Sequence, residues 1–317
     1  MIPPVAHFVW FGRDFPWLNV LAILSAARSG GFQRVVLHLD GSRESVLKHE
    51  ELARLPQFEL RTINLPELAL GSGFDAAHVQ TLFQAMSSAA ARSDVVRALV
   101  LLIEGGVYLD TDTVTVRSFT SLLASASAFI GQERICFPGW NATPPSLAAR
   151  AKSYALAALR WTLSVLPRGY RTFAKLAPSY SLWANNAVMG CEPGHPFMRN
   201  YVSSMLSMPL DRACRPYGVG PDLLQRVYDG YSNPEHRVRC MEPEAFYPLA
   251  PVISDHWWKT TQNPRISDVL SPETLVVHWY ASVRNRKRIA CVNARYVTDR
   301  AHNELFSSLV ALKVHDS

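Results

Sequence analysis

The sequence predicts an α/β protein in which a mostly parallel central sheet is covered by helices. Over the first hundred residues, short β-rich segments alternate with helical patterns, which is typical of this class. The chain has no internal repeat and no low-complexity linker, so we expect a single domain over residues 1–317. Its 317 residues are 48% hydrophobic and 18% charged, which provides enough apolar surface for a large core and excludes a disordered protein.

The first half of the chain has the pattern of a β-α-β-α-β unit that continues into a long helix and a short buried strand. The predicted strands cover residues 5–11, 34–40, 57–63 and 107–109, and the predicted helices cover 15–29, 43–54 and 76–103. A connection with Pro66, Gly71 and Gly73 precedes the long helix, which ends at Gly105-Gly106 because glycine accepts the left-handed backbone of a helix C-terminus. Units of this kind bind nucleotides at the carboxyl ends of their strands.

The second half of the chain predicts more widely spaced elements that complete the same core. They are strands at 181–189 and 274–279, helices at 196–208 and 299–312, and a helix that begins at Pro221-Asp222.

The overall charge favours anionic partners. The chain has 32 basic and 26 acidic residues, a net charge of +6, which suits nucleotides or lipid head groups. Nucleic-acid-binding motifs with recognisable spacing are absent from the sequence, so we expect no nucleic-acid partner. Five scattered cysteines, none in a CxxC pair, indicate neither a disulfide framework nor a zinc site.

The chain carries no pattern of a secretory signal or a membrane-spanning helix. Its first residues, MIPPVAHFVWFGRDF, lack a basic stretch followed by a long apolar one, and no run of residues reaches 18 uninterrupted apolar positions. We therefore expect a cytoplasmic protein.

Residues 144–178 form a basic and aromatic segment without acidic residues. Its basic residues include Lys152, Arg160, Arg168, Arg171 and Lys175, interleaved with leucines and aromatic side chains. Such a segment can lie on an anionic membrane surface, here the inner face of the cell membrane. The alternative is a helical insertion that packs on the core and exposes its charges.

The most informative chemistry is the pair Asp110 and Asp112, which follows the buried strand 107–109. Two carboxylates separated by one residue at a strand end point to the same side. This arrangement suits a hard divalent cation that keeps several waters and bridges a substrate diphosphate. A solvated turn is the alternative, which the preceding buried strand disfavours.

Asp94 and Arg97 share one face of the long predicted helix, a few residues before the paired aspartates. One interpretation is a surface ion pair with little effect on stability. The other places Asp94 on a sugar or ribose hydroxyl and Arg97 on an anionic or hydroxyl group of a ligand. The short separation from Asp110 favours the second.

The run SDVVRALVLLIEGGVYLDTDT resembles the defining segment of the family 32 glycosyltransferases, especially the alpha-1,4-glycosyltransferase group, and more distantly the glucosylating domains of large clostridial toxins. The shared elements are Ser-Asp, an arginine three residues on, Gly-Gly, an aromatic residue and Asp-x-Asp. In this chain they are Ser93, Asp94, Arg97, Tyr108, Asp110 and Asp112. Glu104 stands where the family commonly has an aromatic residue.

The resemblance continues along the chain. IPPVAHFVWFG is similar to the family's first strand, where a tryptophan stacks on the donor base, which implies Trp10 with Val9 beside it. NNAVMGCEPGHPFM and GVGPDLLQRV resemble later elements and imply Asn186 and Asp222 as catalytic-site residues. VVHWYAS resembles the segment that closes over the diphosphate and implies His278, Trp279 and Ser282. Without this resemblance, residues such as Trp10, Trp279 and His278 are more often core residues than ligand contacts.

This likeness implies a GT-A glycosyltransferase fold, Rossmann-like, with residues 141–178 as a basic helical insertion. Residues 1–116 then bind the nucleotide sugar, and residues 179–317 bind the acceptor and close the site. It implies retaining transfer from a UDP-sugar, or from a GDP-sugar as the second choice, with Mn²⁺ or Mg²⁺ held by Asp110 and Asp112. The expected acceptor is a glycan or a lipid-linked saccharide, as in polysaccharide or glycolipid biosynthesis.

Three other functions fit parts of the sequence. An effector-type glycosyltransferase would modify a protein instead of a glycan. A haloacid-dehalogenase-like phosphatase would use Asp110 as nucleophile and Asp112 as acid and base, although it requires this motif near the N-terminus and a later acidic pair. A non-enzymatic module would bind membranes through the basic segment.

Overall fold

A seven-stranded sheet forms the centre of the computed structural model, which describes residues 1–138, 146–251, 253–281 and 291–312. Two further strands form a small separate sheet. In chain order the strands are β1 Val5–Gly12, β2 Arg34–Gly41, β3 Phe58–Thr62, β4 Gly106–Leu109, β5 Thr113–Thr115, β6 Ala128–Ile135, β7 Ser181–Cys191, β8 Val238–Met241 and β9 Val276–His278.

The sheet is mostly parallel, with one reversed strand. Its order is β3-β2-β1-β4-β7-β6-β8. Strand β1 pairs in parallel with β2 and β4, β2 pairs in parallel with β3, and β6 with β8, whereas β7 runs antiparallel to both β4 and β6. The predicted fold class is therefore confirmed: an α/β protein with a mostly parallel central sheet.

Helices cover both faces of this sheet. They are α1 Trp17–Ser29, α2 Arg43–Leu47, α3 Glu50–Ala53, α4 Leu65–Ser72, α5 Ala76–Ala85, α6 Ala89–Glu104, α7 Thr120–Ser125, α8 Leu147–Val165, α9 Gly169–Leu176, α10 Pro196–Leu206, α11 Leu210–Ala213, α12 Pro221–Asp229, α13 Pro243–Phe246, α14 Ala294–Arg300 and α15 Leu305–Val310. Three 3₁₀ helices occupy Ala177–Ser179, Ile253–Trp258 and Ile266–Asp268.

Two hydrophobic cores lie on opposite faces of the sheet, and strand alternation assigns residues to them. In β4, the side chains of Val107 and Leu109 belong to the core beneath α1, whereas Tyr108 belongs to the core beneath α6. The next residues along the chain are Asp110 to Asp112, so the buried strand delivers the paired aspartates to the sheet edge as predicted.

The prediction of one long helix over residues 76–103 is wrong, because the structure has two separate helices there, α5 and α6. Met86 adopts extended backbone, and the Ser88 side chain then caps α6 by accepting from the Ala91 N–H. Serine competes with the helix for backbone hydrogen bonds and so favours such a start. The predicted helices at 43–54 and 299–312 are likewise each replaced by two shorter helices.

A helix, α4, occupies the connection that we expected to be irregular. The Asn64 side chain caps its first turn by accepting from the Glu67 N–H, and Gly73 ends it with φ of 74°. Pro66 lies in the first turn, where proline lacks no required hydrogen bond. The proline and glycine that appeared to interrupt structure therefore mark the two ends of a helix.

Gly105 and Gly106 form the tight turn between α6 and β4, with φ of 65° and 89°. A Cβ on Gly106 would lie 2.6 Å from the Val5 carbonyl oxygen of the neighbouring strand. Because only glycine tolerates both the positive φ and this approach, the pair fixes how the helix passes into the strand that carries the aspartates.

The small sheet connects the beginning and the end of the chain. Strand β5 pairs antiparallel with β9, with Thr113 opposite His278, and the Trp279 N–H donates to the Asp112 carbonyl oxygen at 3.0 Å. This pairing brings the late segment 276–281 against the paired aspartates.

The basic segment is helical, as α8 and α9, and three of its arginines contact the protein itself. Arg160 is buried and donates to the Arg134 carbonyl oxygen at 3.1 Å, and Arg168 donates to that of Gln262 at 2.7 Å. Arg171 pairs with Asp268. These three charges therefore belong to the packed interior and rim of the domain. Within the described ranges, no helix is both long and apolar enough to cross a membrane.

Candidate active site

Asp110 is held at the end of β4 by groups from the two neighbouring layers. Its backbone N–H donates to the Ala187 carbonyl oxygen of β7 at 2.8 Å. Its carboxylate Oδ1 accepts from the Tyr108 hydroxyl at 2.6 Å and lies 3.0 Å from Arg97 Nη2. Asp110 therefore has one oxygen fixed by a phenol and a guanidinium.

Asp112 is held by the late segment of the chain. Its Oδ1 lies 2.9 Å from His278 Nε2, and its Oδ2 accepts from the Ala281 N–H at 2.7 Å. Asp110, Asp112 and His278 each offer a ligand atom, and these atoms all lie within 4.8 Å of one another. The geometry thus adds an imidazole to the two carboxylates, which is a three-residue set that can hold a cation.

The two carboxylates have opposite electrostatic environments. Burial raises the pKa of Asp110, although the nearby Arg97 opposes this. Burial alone would also raise the pKa of Asp112, but the charge and hydrogen bond of His278, with the Ala281 N–H, lower it below its usual value. The same pairing with Asp112 outweighs burial at His278 and raises the pKa of its imidazole. Asp112 is therefore the more strongly ionised member of the pair.

Arg97 and Asp94 form a buried network on α6, so the surface ion pair considered above is wrong. The two residues are 4% and 8% exposed, and Arg97 Nη2 lies 3.4 Å from Asp94 Oδ1. Arg97 Nη1 donates to the Asn186 carbonyl oxygen at 2.7 Å, and the Asn186 amide donates to Asp94 at 2.8 Å. Ser93 contacts both the Arg97 guanidinium and the Tyr108 hydroxyl, each at 3.2 Å.

Burial raises the pKa of Asp94 to about 6, although Arg97 and the Asn186 amide favour its charged form. The start of α12 abuts this carboxylate, since a Cβ on Gly220 would lie 2.8 Å from Asp94 Oδ2. Glycine there keeps open the space beside a buried carboxylate whose charge is only partly balanced.

Residues 35–129 match the family described as "Glycosyltransferase sugar-binding region containing DXD motif". The matched range contains the buried strand, Asp110-Thr111-Asp112 and the Asp94–Arg97 network. The chain therefore contains a DXD-type glycosyltransferase sugar-binding region over residues 35–129. This match agrees with the resemblance seen in the sequence and favours a glycosyltransferase over the phosphatase and the non-enzymatic module.

Several solved structures are similar to the glycosyltransferase at low sequence identity. Mouse xyloside xylosyltransferase 1 in its apo form has a TM-score of 0.48 at 13% identity, with 88% of this chain and 98% of that chain covered. PaToxG glycosyltransferase has a TM-score of 0.44 at 15% identity, with 71% of this chain and 68% of that chain covered. The galactosyltransferase LgtC, in complex with donor and acceptor sugar analogues, has a TM-score of 0.40 at 10% identity, with 93% of this chain and 94% of that chain covered. No curated protein matches the chain.

The predicted donor-base residues of the glycosyltransferase differ in what they can offer. Trp10 is partly exposed at the end of β1, where its indole N–H donates to the Asp14 carbonyl oxygen at 3.0 Å and its ring packs edge-on against Phe15. Val9 is buried in the core beneath α6. Of the two side chains, only that of Trp10 is exposed enough for a ligand to contact it.

Two members of the predicted closing segment are described by the structure, and Ser282 lies outside the described residues. His278 reaches Asp112, as given above. Trp279 is 1% exposed, and its ring packs against Trp258 and Phe306 at 5.6 and 5.8 Å between centroids. The Trp279 ring is therefore a core aromatic, and its backbone N–H is the part that reaches the DXD segment.

The predicted acceptor-side residues lie on β7 and α12. Asn186 is buried on Asp94, as described above. Asp222 lies in the first turn of α12, where its carboxylate accepts from the Trp183 indole N–H at 3.3 Å, and burial raises its pKa. Glu104, which departs from the family pattern, forms an ion pair with Arg61 at 2.7 Å and so has a structural partner.

Sequence reasoning missed a second buried network that supports the closing segment. The Tyr280 hydroxyl donates to Glu133 Oε2 at 2.7 Å, and the Tyr280 ring lies 4.1 Å from that of His278 between centroids. Tyr280 has a φ of 59°, a conformation that disfavours residues other than glycine. The Tyr247 hydroxyl contacts Asn185 nearby. Tyr280 lies within the segment VVHWYAS noted above, whereas Glu133 stands in no recognisable motif.

Proposed function

We propose that the glycosyltransferase transfers a sugar from a nucleotide sugar to a hydroxyl of a glycan or lipid-linked saccharide, with a divalent cation. Stacking on Trp10 would accept either base. The family likeness makes a UDP-sugar the first choice of donor and a GDP-sugar the second. The observation that carries the proposal is the group of ligand atoms from Asp110, Asp112 and His278, within 4.8 Å of one another at the carboxyl end of β4.

The residues fit a divalent cation in both charge and ligand type. Carboxylate oxygens suit Mg²⁺ and Mn²⁺, and an added imidazole favours Mn²⁺ of the two. The Asp94 and Asp110 carboxylates share the one guanidinium of Arg97, and the nearby Asp112 carboxylate pairs with the His278 imidazole. A cation would offset this excess of negative charge. When bound, it would act as a Lewis acid that neutralises charge on the departing diphosphate.

The chain's own residues hold this site in place. Arg97 and the Tyr108 hydroxyl fix one oxygen of Asp110, while His278 and the Ala281 N–H fix both oxygens of Asp112. Because these partners are themselves held by packed strands and helices, the ligand set is preorganised and needs little rearrangement during the reaction.

We infer a retaining transfer in which the acceptor hydroxyl attacks on the face from which the phosphate departs. A C–O bond to the acceptor oxygen forms as the C–O bond to the diphosphate breaks, and the acceptor proton passes to the leaving diphosphate. The Asp222 carboxylate accepts a hydrogen bond from the Trp183 indole, and the Glu133 carboxylate accepts one from the Tyr280 hydroxyl. These hydrogen bonds disfavour either carboxylate as a covalent nucleophile. We assign Asn186 and Asp222 to the acceptor side of the site.

We place the acceptor on a lipid at the cytoplasmic face of the cell membrane. The support is the absence of acidic residues between Glu133 and Glu192, together with the exposed aromatic side chains of α8. A lipid-carried acceptor would reach the site only if the enzyme itself approaches the bilayer.

A thermal-shift panel tests the proposal. UDP, GDP and their sugar conjugates are added with Mn²⁺, with Mg²⁺ or with neither, to the wild type, to Asp112→Asn and to Asp211→Asn as an exposed control. We expect one nucleotide to raise the melting temperature in the wild type and the control, only with metal. Asp112→Asn should lose this rise and all transfer while its own melting temperature stays close to that of the wild type. No rise with any nucleotide, or a rise retained in Asp112→Asn, would overturn the metal-bridged site.

A further inference from the structure

The outward face of α8 is apolar along the whole helix. Residues spaced by three or four positions share one face of a helix. On this face the residues are all exposed: Leu147, Ala151, Tyr154, Ala158, Trp161 and Val165. Leu147 is 83% exposed and Trp161 is 64% exposed. Since 19 residues of helix span about 28 Å, this stripe is far larger than the single exposed hydrophobic residues that are usual on soluble proteins.

The opposite face of α8 fixes the helix to the domain. Leu163 is buried in the core beneath α1, and the Leu156 carbonyl oxygen accepts from the Tyr180 hydroxyl at 3.1 Å. Buried Arg160 donates to the Arg134 carbonyl oxygen. These contacts hold the core-facing side of the helix, so the apolar stripe lies on the outward side, where the Tyr154 ring packs edge-on against Phe137 at 5.3 Å between centroids and remains 54% exposed.

The charges around the stripe are positive. Arg150, Lys152 and Lys175 are exposed, and the sequence has no acidic residue between Glu133 and Glu192. Arg168 and Arg171, by contrast, contact Gln262 and Asp268. An apolar stripe on a segment whose exposed charged residues are basic complements a surface with an apolar interior and anionic head groups.

The sheet topology places α8 on the same side of the molecule as the DXD segment. Strand β7 runs antiparallel to both β4 and β6, so β4 and β6 point in the same direction. Their carboxyl ends therefore lie at one sheet edge. Asp110 follows β4 at this edge, and the chain leaves β6 at the same edge to reach α8.

We propose that the α8 stripe docks on a bilayer of anionic phospholipids. The helix lies in the plane of the interface, with the rings of Tyr154 and Trp161 at the level of the head groups and Arg150, Lys152 and Lys175 contacting lipid phosphates. This deepens the proposed function, and it rests on that function only in what the docking achieves, namely bringing the DXD edge to a lipid-linked acceptor.

Vesicle co-sedimentation of the full chain tests the docking surface. The vesicles are phosphatidylcholine alone, and phosphatidylcholine with about a third phosphatidylglycerol. One variant pair, Tyr154→Ser with Trp161→Ser, removes the aromatic anchors, and a second, Arg150→Glu with Lys152→Glu, reverses the charge. The matched controls are Leu70→Ser with Leu210→Ser, at exposed apolar positions on α4 and α11, and Lys48→Glu with Arg239→Glu, at exposed basic positions.

We expect the wild type and both controls to sediment with the anionic vesicles, and at least a fivefold loss of the bound fraction in each α8 variant. Wild-type protein that stays in solution, binding that is equal on neutral vesicles, or an equal loss in the controls would overturn the proposal. So would a dimer in size-exclusion chromatography with light scattering that the α8 variants dissociate without any lipid binding. The nucleotide-induced thermal shift is measured on the same variants and should not change, so a failure here is separable from a failure of the transferase site.

Discussion

The Arg97 guanidinium lies 3.0 Å from Asp110 Oδ1 while also contacting the Asn186 carbonyl oxygen and the Asp94 carboxylate. Its side chain is 5% exposed, so these contacts replace water almost completely. Burial alone would lower the pKa of Arg97. Because charge–charge attraction strengthens in such surroundings, Asp110 and the other neighbours raise this pKa instead. Arg97 is the fixed positive charge around which the carboxylates of the site are arranged.

Replacing Arg97 should destabilise the fold strongly. Arg97→Met leaves the Asp110 and Asp94 carboxylates without their counter-charge, and breaking a buried ion pair in this way costs about 3 to 5 kcal/mol. Urea unfolding measures the loss. Arg54→Met, which removes an exposed pair with Glu50, should cost about 1 kcal/mol or less. Adding Asp110→Asn to Arg97→Met should restore part of the stability, and a purely additive double variant would contradict the charge explanation.

Trp10→Ala should weaken nucleotide binding without unfolding the protein. If the partly exposed ring stacks on the donor base, its loss should reduce the affinity for UDP with metal by about 1 to 3 kcal/mol. Isothermal titration calorimetry measures this change. Trp17→Ala provides the matched control, because Trp17 is also partly buried against the same core. Equal losses in both variants, or unfolding of Trp10→Ala, would assign Trp10 to the core.

Tyr280→Phe should weaken metal-dependent nucleotide binding more than it weakens the fold. Loss of the hydroxyl removes one hydrogen-bond donor from the buried Glu133 carboxylate and the contact that holds residue 280 in a disfavoured backbone conformation. The neighbouring Ala281 N–H and His278 should then hold Asp112 less firmly. We expect a higher Mn²⁺ concentration for half of the UDP-induced thermal shift.

The control for this variant is Tyr296→Phe, which removes a similar tyrosine-to-glutamate hydrogen bond, to Glu304 at 2.8 Å. It should leave the Mn²⁺ requirement unchanged. Glu133→Gln, which retains an oxygen that can accept from Tyr280, should give a smaller effect than Tyr280→Phe. A Mn²⁺ requirement that is the same in all three variants and the wild type would show that Glu133 and Tyr280 do not position the metal ligands.

A buried histidine pair should make the fold less stable as the pH falls. His7 Nδ1 lies 3.1 Å from His38 Nε2, and burial lowers the pKa of each imidazole to about 3. In the unfolded chain both gain a proton near pH 6.5, so the unfolded state binds more protons below that pH and the stability declines. The pair should contribute a loss of about 3 kcal/mol between pH 7.5 and 5.5.

Urea unfolding at the two pH values checks this expectation. His38→Gln should remove about half of the pair's contribution to the loss, whereas His78→Gln, at an exposed position, should leave the loss unchanged. A pH dependence that is the same in the wild type and His38→Gln would mean that the buried imidazoles are already charged or solvated in the native protein.

The parts of the fold that could be predicted from the sequence are those where local pattern and tertiary structure agree. Val107 and Leu109 are apolar, follow two glycines and lie in a central strand, so their pattern located both the strand and the aspartates that follow it. The break at Met86–Ser88 was missed because the apolar residues before and after it keep the spacing of one continuous helix. Only the cap made by Ser88 reveals it.

The site was predicted where residues are close along the chain and missed where they meet through packing. Asp94, Arg97, Asp110 and Asp112 lie within one short stretch, so spacing alone brought them together. Glu133 reaches Tyr280 across 147 positions, through the order of strands in the sheet and a left-handed tyrosine backbone. No periodicity in the sequence encodes that contact, because Glu133 is flanked by Gln132 and Arg134 and so does not stand out as a buried acidic residue.

The pairing of β5 with β9 also makes the candidate site depend on two segments that leave the ribosome at very different times. Asp112 and His278 are separated by 166 positions, and the Ala281 N–H by 169. Contacts of such long sequence separation form late, after the loop between them has closed. A ribosome-bound chain that has already emerged through the DXD segment still lacks the third ligand and the strand that carries it. The growing chain should therefore hold these three residues together only after residue 281 has left the ribosome.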